Sequence, residues 1–296
     1  MIVRSIADLG EGWSRADAAP MPMPSEVLLA HPQFFEVRDT KNPFMAGHIG
    51  TVDRRKAITQ WEALRDTFEL CGMKTHVLDP LPECEDMVFT ANPSFNGRGP
   101  DGRRICVPSR MAFASRQPEV EAHRRWFANS GYAIAELPET VSAFEGGGDA
   151  IWHPGRAIIW AASGPRSVQA AHEALSAIFD VPVFSLQLVD PRFYHLDTCF
   201  CPVNQRTAII FSKAFSDASL PLIYHIFQDV IDVDEAEAEH FACNATALFG
   251  NTVVIQDGAN RTIAQLAKRG IGARTVDTRE FMKSGGSVFC MKAELR

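Results

Sequence analysis

No stretch of this 296-residue chain stays apolar long enough to span a bilayer, so no membrane partner is expected. Basic residues are in the minority: 29 Lys and Arg face 36 Asp and Glu, a net charge of −7. That balance argues against a nucleic-acid or anionic-membrane surface. The seven cysteines, at 71, 84, 106, 199, 201, 243 and 290, are odd in number and include no CxxC pair. Neither a disulfide framework nor a zinc knuckle is indicated, and a reducing, cytoplasmic setting fits best. Residues 1–24 carry no apolar core of the signal-peptide kind. They read as a loosely held N-terminal extension, with residues 25–296 as a single domain.

What is present is the composition of a soluble globular protein, 46% hydrophobic and 22% charged, and a repeat. Strand-like MVFT at 87–90 and ICVP at 105–108 precede a helical stretch from Gln117 and strand AIAEL at 133–137. The order recurs with AIW, AIIWAA, a helix from Arg166 to Phe179 and VPVFSLQL at 181–188. It recurs with CFCPV, TAIIF, a helix near Leu220 and DVIDV, and again with TALFG at 246–250, TVVIQ, a helix from Asn260 and ARTV. A spacing of roughly 50 residues marks a repeat architecture. VLLA at 27–30, a helix from Arg54 to Cys71 and THVLD at 75–79 form a fifth unit without its first strand. Residues 287–291, read as a strand, are left over to supply it and close a ring, which removes free sheet edges. Thr278 reads as the cap of a short helix over 279–283.

In such a ring, equivalent positions converge on the axis. Around the first strand of each unit lie Asp86 and Asn92, Glu145 before three glycines and Asp149, His195 and Asp197, Asn244, and Cys290 after Gly285-Gly286. Each has an ordinary reading: turn residues, a loop acid, a core histidine, a buried thiol. Their convergence is what favours a site. Cys199 and Cys201 point to one strand face near His195, but no fourth soft ligand stands at suitable spacing, so no metal is expected.

Asn42-Pro-Phe-Met, Asp86-Met-Val-Phe-Thr-Ala-Asn92, Phe144-Glu-Gly-Gly-Gly-Asp149, His195-Leu-Asp-Thr, Cys243-Asn-Ala and Gly285-Gly-Ser-Val-Phe-Cys290 occur in this order over nearly the whole chain. Together they resemble the guanidine-modifying superfamily of pentein fold, an α/β propeller of five ββαβ repeats. Its members include arginine deiminases, dimethylarginine dimethylaminohydrolases, amidinotransferases and arginine dihydrolases. The resemblance implies Cys290 as nucleophile, His195 as general acid/base and Glu145 as the group that orients the guanidinium and shuttles protons. It implies Asp86 on the guanidinium nitrogens, Arg110 and Arg166 on the substrate α-carboxylate, and Asn42 as a substrate contact. Phe89, Asn92, Asp149, Asp197, Asn244 and Ser287 complete the expected substrate shell. The implied partner is a small guanidino or ureido amino acid. No cofactor is implied, and a homo-oligomer is allowed.

A guanidinium is planar, cationic and all donor, so carboxylates suit its edge. Its charge beside a cysteine favours the thiolate. Deiminases carry aspartate where this chain has Asn92. An asparagine offers both a donor and an acceptor, which fits neutral citrulline as well as arginine. The leading expectation is therefore an arginine dihydrolase, taking arginine or citrulline to ornithine. The alternatives are a dimethylarginine dimethylaminohydrolase, an amidinotransferase, or a non-catalytic relative that only assembles.

Overall fold

The computed structural model describes residues 1–249 and 251–296. In chain order, β1 (Ile2–Val3) and β2 (Glu26–Ala30) lead to α1 (Arg54–Leu70) and β3 (Lys74–Leu78). Next come β4 (Ser94–Arg98), β5 (Arg104–Pro108), α2 (Gln117–Asn129), β6 (Ala133–Ile134) and the single turn α3 (Gly146–Asp149). The third unit holds β7 (Ala150–Trp152), β8 (Ile159–Ser163), α4 (Ala170–Phe179) and β9 (Val183–Gln187). The fourth holds β10 (Phe200–Pro202), β11 (Thr207–Ile210), α5 (Leu220–Ile226) and β12 (Asp229–Asp232), followed by α6 (Glu235–Glu239). The last elements are β13 (Thr246–Leu248), β14 (Thr252–Gln256), α7 (Asn260–Lys268), β15 (Gly272–Val276), α8 (Arg279–Met282) and β16 (Ala293–Leu295).

These strands form five separate sheets, ordered β16-β2-β3, β4-β5-β6, β1-β9-β8-β7, β10-β11-β12 and β13-β14-β15. Each holds one three-stranded unit (β7-β8-β9 in the third, where β1 adds in parallel as a fourth strand), and in chain order of the unit, counting β16 as first in its own, the first strand runs antiparallel to the second. The second pairs in parallel with the third across a helix. That is ββαβ five times, the pentein fold. The first unit does take its first strand from the C-terminus: Ala293 pairs with Leu28 and Leu295 with Glu26.

The apolar clusters run round the ring. Ala57, Trp61, Leu64 and Phe68 of α1 pack with Val27 and Leu29 of their own sheet and with Val254 and Val276 of the fifth unit. Phe127 of α2 meets Leu28 and Ala30 of the first unit. Leu175 and Phe179 of α4 meet Phe95 and Val107 of the second. Each of these three helices is thus a wedge between neighbouring sheets, and each fully buried leucine or phenylalanine contributes about 1.5–3 kcal/mol. α1 begins where Asp53 accepts from the backbone N–H groups of Arg55 and Lys56. Pro118 occupies the first turn of α2, where no N–H is needed. Among the described residues no helix is long and apolar enough to cross a membrane.

Four readings of the sequence need correction. Residues 1–24 are not loosely held, because Ile2 and Val3 pair in parallel with Val183 and Phe184. Residues 87–90 are not a strand but a run of turns, with the N–H of Phe89 on the carbonyl of Asp86 and that of Asn92 on Phe89. A short apolar run buried inside the ring does not distinguish the two. Residues 287–291 form a helical turn, closed by Met291 N–H on the Ser287 carbonyl, and the ring-closing strand starts later, at Ala293. Thr278 precedes α8 without a side-chain cap; its hydroxyl bonds Gln256 and Ser287 instead. Of the TALFG stretch, Gly250 lies outside the described residues.

Candidate active site

Asn244 organises the nucleophile turn. Its Oδ1 accepts the backbone N–H groups of Ser287 (3.0 Å), Phe289 (3.1 Å) and Cys290 (3.2 Å), which is why this apolar segment coils instead of extending. Its Nδ2 donates to the Asp197 carbonyl at 2.9 Å and to Cys290 Sγ at 3.1 Å. The thiol in turn donates to Asp197 Oδ2 at 3.0 Å. Burial, reinforced by the Asp197 charge, pushes the Cys290 thiol well above its ordinary pKa. Burial also pushes Asp197 up to about 7, against the hydrogen bonds from Cys290 and Asn244. Asp197 Oδ1 has no hydrogen-bond partner among the described residues.

A second cluster stands beside it. His195 Nε2 lies 2.7 Å from Glu145 Oε2, which also accepts from Arg166 Nη1 at 2.9 Å. The other oxygen, Oε1, accepts from Ala112 N–H. Burial opposes the Glu145 charge, but the hydrogen bond and charge of His195, with Arg166 and Arg116, hold it at about 2. Asp149, 3.9 Å from the imidazole, is raised by burial to about 6 although Ser167 and the Leu196 N–H both donate to it. A Cβ on Gly148 would lie 3.2 Å from the imidazole Cγ and 2.5 Å from Asn92 Nδ2, so only glycine lets these groups approach.

Cys290 opens into a cleft walled by Lys41, Asn42, Asp86, Phe89, Asn92 and Arg166, with Arg116, Tyr194 and Ser284 at its sides. Asn42 donates to the Ser284 carbonyl and lies against Gly285, whose φ of +86° leaves no room for a side chain. Asp86 accepts from Ser284 Oγ at 2.9 Å and forms an ion pair with the Lys41 ammonium at 3.2 Å. The Lys41 ammonium also binds Asp39 and Glu85. Arg166 lies over the rings of Phe113 and Tyr194, 4.7 Å from each centroid. Of the residues expected from sequence, Asn42, Asp86, Phe89, Asn92, Arg166 and Cys290 line the cleft; Glu145, His195 and Asp197 adjoin it through the hydrogen bonds to Arg166 and Cys290, and Asp149, Asn244 and Ser287 bond to that frame.

Arg110 is not among them. Its guanidinium donates to the carbonyls of Leu137, Pro138 and Val141, bracing the 137–141 loop. Arg116, six residues on, takes a place at the cleft. Lys41, Ser284 and Tyr194 were also not anticipated. The signal for Arg116 was available: Glu119 follows at i+3 on a helix whose buried face includes Val120, Ala122 and His123.

The arrangement offers a thiol with a carboxylate ready to take its proton. Beside it is an imidazole–carboxylate pair able to carry one, and the cleft is lined by both charge signs. A family model described as N,N dimethylarginine dimethylhydrolase, eukaryotic, matches residues 32–296. The chain belongs to this family of guanidine-modifying hydrolases. It is 35% identical over 274 residues to the N(G),N(G)-dimethylarginine dimethylaminohydrolase of Mycobacterium tuberculosis, covering 93% of this chain and 87% of that protein. It is 34% identical over 268 residues to the bifunctional arginine dihydrolase/ornithine cyclodeaminase ArgZ of Synechocystis, covering 90% of this chain but only 37% of ArgZ. The N-terminal domain of ArgZ, bound to its substrate, superposes with a TM-score of 0.85 at 31% identity, covering 90% of this chain and 97% of that one. A dimethylarginine dimethylaminohydrolase adduct at 19% identity, TM-score 0.74, shares the fold.

Proposed function

We propose that the chain is an arginine dihydrolase, a cysteine hydrolase that converts arginine or citrulline to ornithine and ammonia through a covalent cysteine intermediate. Residues 25–296 form its catalytic domain, and seven free cysteines fit a reducing, cytoplasmic setting. One observation carries the reading: the Cys290 thiol donates to Asp197 in the same cleft that Asn92 and the Arg166–Glu145–His195 chain border.

Asp197 takes the thiol proton as the guanidinium arrives, since the substrate cation stabilises both carboxylate and thiolate. The sulfur bonds to the guanidinium carbon. The C–N bond then breaks, and ammonia leaves with a proton from His195, which Glu145 steadies. Water, deprotonated by His195, attacks the amidino-thioether; the C–S bond breaks, and citrulline and the thiol are released. Citrulline in a second round yields ornithine, carbon dioxide and a second ammonia.

The ArgZ relatives support the dihydrolase reading. ArgZ's N-terminal domain has been captured with substrate, with product and with a covalent intermediate. Asn92 supports it too, since its side-chain amide can face a ureido oxygen. Dimethylarginine hydrolysis is the second reading, favoured by the M. tuberculosis relative. Product stoichiometry decides. Arginine should give two ammonia per ornithine, and citrulline alone should be consumed. Citrulline that accumulates untouched ends the dihydrolase reading, and much faster dimethylamine release from dimethylarginine installs the other.

A further inference from the structure

The thiol with Asp197 and Asn244 forms one hydrogen-bonded group, and His195 with Glu145 and Arg166 forms another. Among the described residues no side-chain hydrogen bond joins the two groups. One side chain touches both sides. The Tyr194 hydroxyl donates to the Gly285 carbonyl at 2.6 Å, on the segment that leads into the nucleophile turn. The centre of its ring lies 4.7 Å from the Arg166 guanidinium and 4.6 Å from the centre of the His195 imidazole. Burial pushes the phenol well above its ordinary pKa, so it stays a donor. The backbone at its partner is shaped for the contact. Gly285 has a φ of +86°, and a Cβ there would lie 2.8 Å from the Tyr194 oxygen and 2.7 Å from Asn42 Oδ1. Asn244 holds the turn from Ser287 onward, so it does not tie residues 284–286 to the histidine side. Ser284 and Gly286 wall the cleft beside Cys290.

We infer that Tyr194 is a positioning residue: it holds the Gly285 carbonyl while its ring backs Arg166 and His195, and so keeps the Cys290 thiol in register with the proton-carrying pair. The inference rests on the cysteine-hydrolase reading and deepens it, whichever guanidino or ureido compound is the substrate. The sulfur and the imidazole must meet at one C–N bond, the first at the carbon and the second at the leaving nitrogen. Neither group fixes its own distance to the other. Arg166 carries the position of the ring to Glu145 through its 2.9 Å bond, and the phenol carries it to the turn. A misplacement of about 1 Å at either end costs up to about 10²-fold in rate.

The test uses the full chain and whichever of arginine, citrulline and dimethylarginine the wild type consumes. Tyr194→Phe keeps the ring and removes only the donor. Its kcat should fall at least about tenfold, with KM within about twofold of wild type. Alkylation of Cys290 by iodoacetamide, followed by mass spectrometry, should keep the wild-type rate, because that reagent needs the thiol but not its register with His195. A purely structural role would lower kcat and change KM and the alkylation rate together. Tyr194→4-aminophenylalanine restores a weaker donor at the same place, and its kcat should lie between those of wild type and Tyr194→Phe. Tyr194→Phe with kcat within twofold of wild type, or with alkylation slowed in step with kcat, overturns the inference. If Tyr194→Phe does not fold, the analogue decides: lowered kcat at an unchanged alkylation rate upholds the inference, and unchanged kcat overturns it. Wild-type protein that consumes none of the three compounds sinks the hydrolase reading and this inference together. Wild-type protein that turns one over while Tyr194→Phe matches it sinks the inference alone.

Discussion

The C-terminal segment meets two buried charge clusters within seven residues, the Asp197 side of the cleft at Cys290 and its own Lys292–Glu294–Arg296 group, and they are opposites. Beyond Cys290 the chain carries Lys292, Glu294 and Arg296 into the axial core. There Glu294 accepts from Lys292 and Arg296, both at 2.7 Å, and the Lys292 ammonium sits 3.6 Å from the centre of the Phe289 ring. Burial opposes the Glu294 charge, but its two cations hold the carboxyl at about 2. At the cleft, Asp197 and Asp149 are raised by burial to about 7 and about 6. No hydrogen bond or short ion pair to a Lys or Arg reaches either carboxylate among the described residues. A structural cluster carries its own counter-charge. A site built for a cation leaves some of that charge to the ligand.

The sharpest way to break the comparison is at the thiol. Cys290→Ser keeps the hydrogen bond to Asp197 but removes the nucleophile, so turnover should drop by at least about 10⁴-fold. Arginine binding, read by calorimetry, should survive. Residual turnover within tenfold of wild type would remove Cys290 from the chemistry. The proton carrier comes next. His195→Ala should cost about 10²–10⁴-fold, with the covalent adduct visible by intact-protein mass spectrometry after mixing with substrate. Full steady-state activity would show that another group moves the proton.

The axial cluster should respond in stability, not chemistry. Glu294→Gln leaves Lys292 and Arg296 as uncompensated cations, with side chains 1% and 4% exposed. We expect a loss of about 3 kcal/mol in denaturant unfolding, with kcat per folded molecule close to wild type. A variant of normal stability and low activity would mean that the two clusters are one machine.

How far this was legible in the sequence follows from the same contrast. The repeat was readable because strand alternation and helical period are local signals, and the order of Glu145, His195 and Cys290 came with it. The failures are non-local. Residues 287–291 look like a strand until Asn244, 46 residues from Cys290, captures three of their N–H groups. Arg110 and Arg116 are alike in sequence. Arg110 finds carbonyls of the 137–141 loop, whereas Arg116 is drawn inward by Glu119. Ile2–Val3 is too short to read as a strand and is one only because β9 offers a parallel edge.

The smallest effect separates the clusters by pH. Asp197 has a folded-state pKa above its usual 3.8, so the folded protein holds a proton that the unfolded chain gives up. Its burial therefore costs stability progressively as pH rises from about 4 through 7, and Asp149 acts in the same direction up to about 6. Glu294 has the opposite sign: its contribution is present above about 4.5 and is lost as pH falls toward 2. A cation bound at the cleft favours ionised Asp197, so arginine should bind Cys290→Ser more tightly as pH rises from 6 to 8. For one group titrating near 7 the gain is about tenfold. Neutral citrulline brings no charge and should bind with nearly constant affinity over the same range. Asp197→Asn should flatten the arginine profile, and Glu294→Gln should leave it unchanged. Parallel profiles for arginine and citrulline would mean that the substrate's charge is answered elsewhere, with Asp86 and its Lys41 partner the next pair to test.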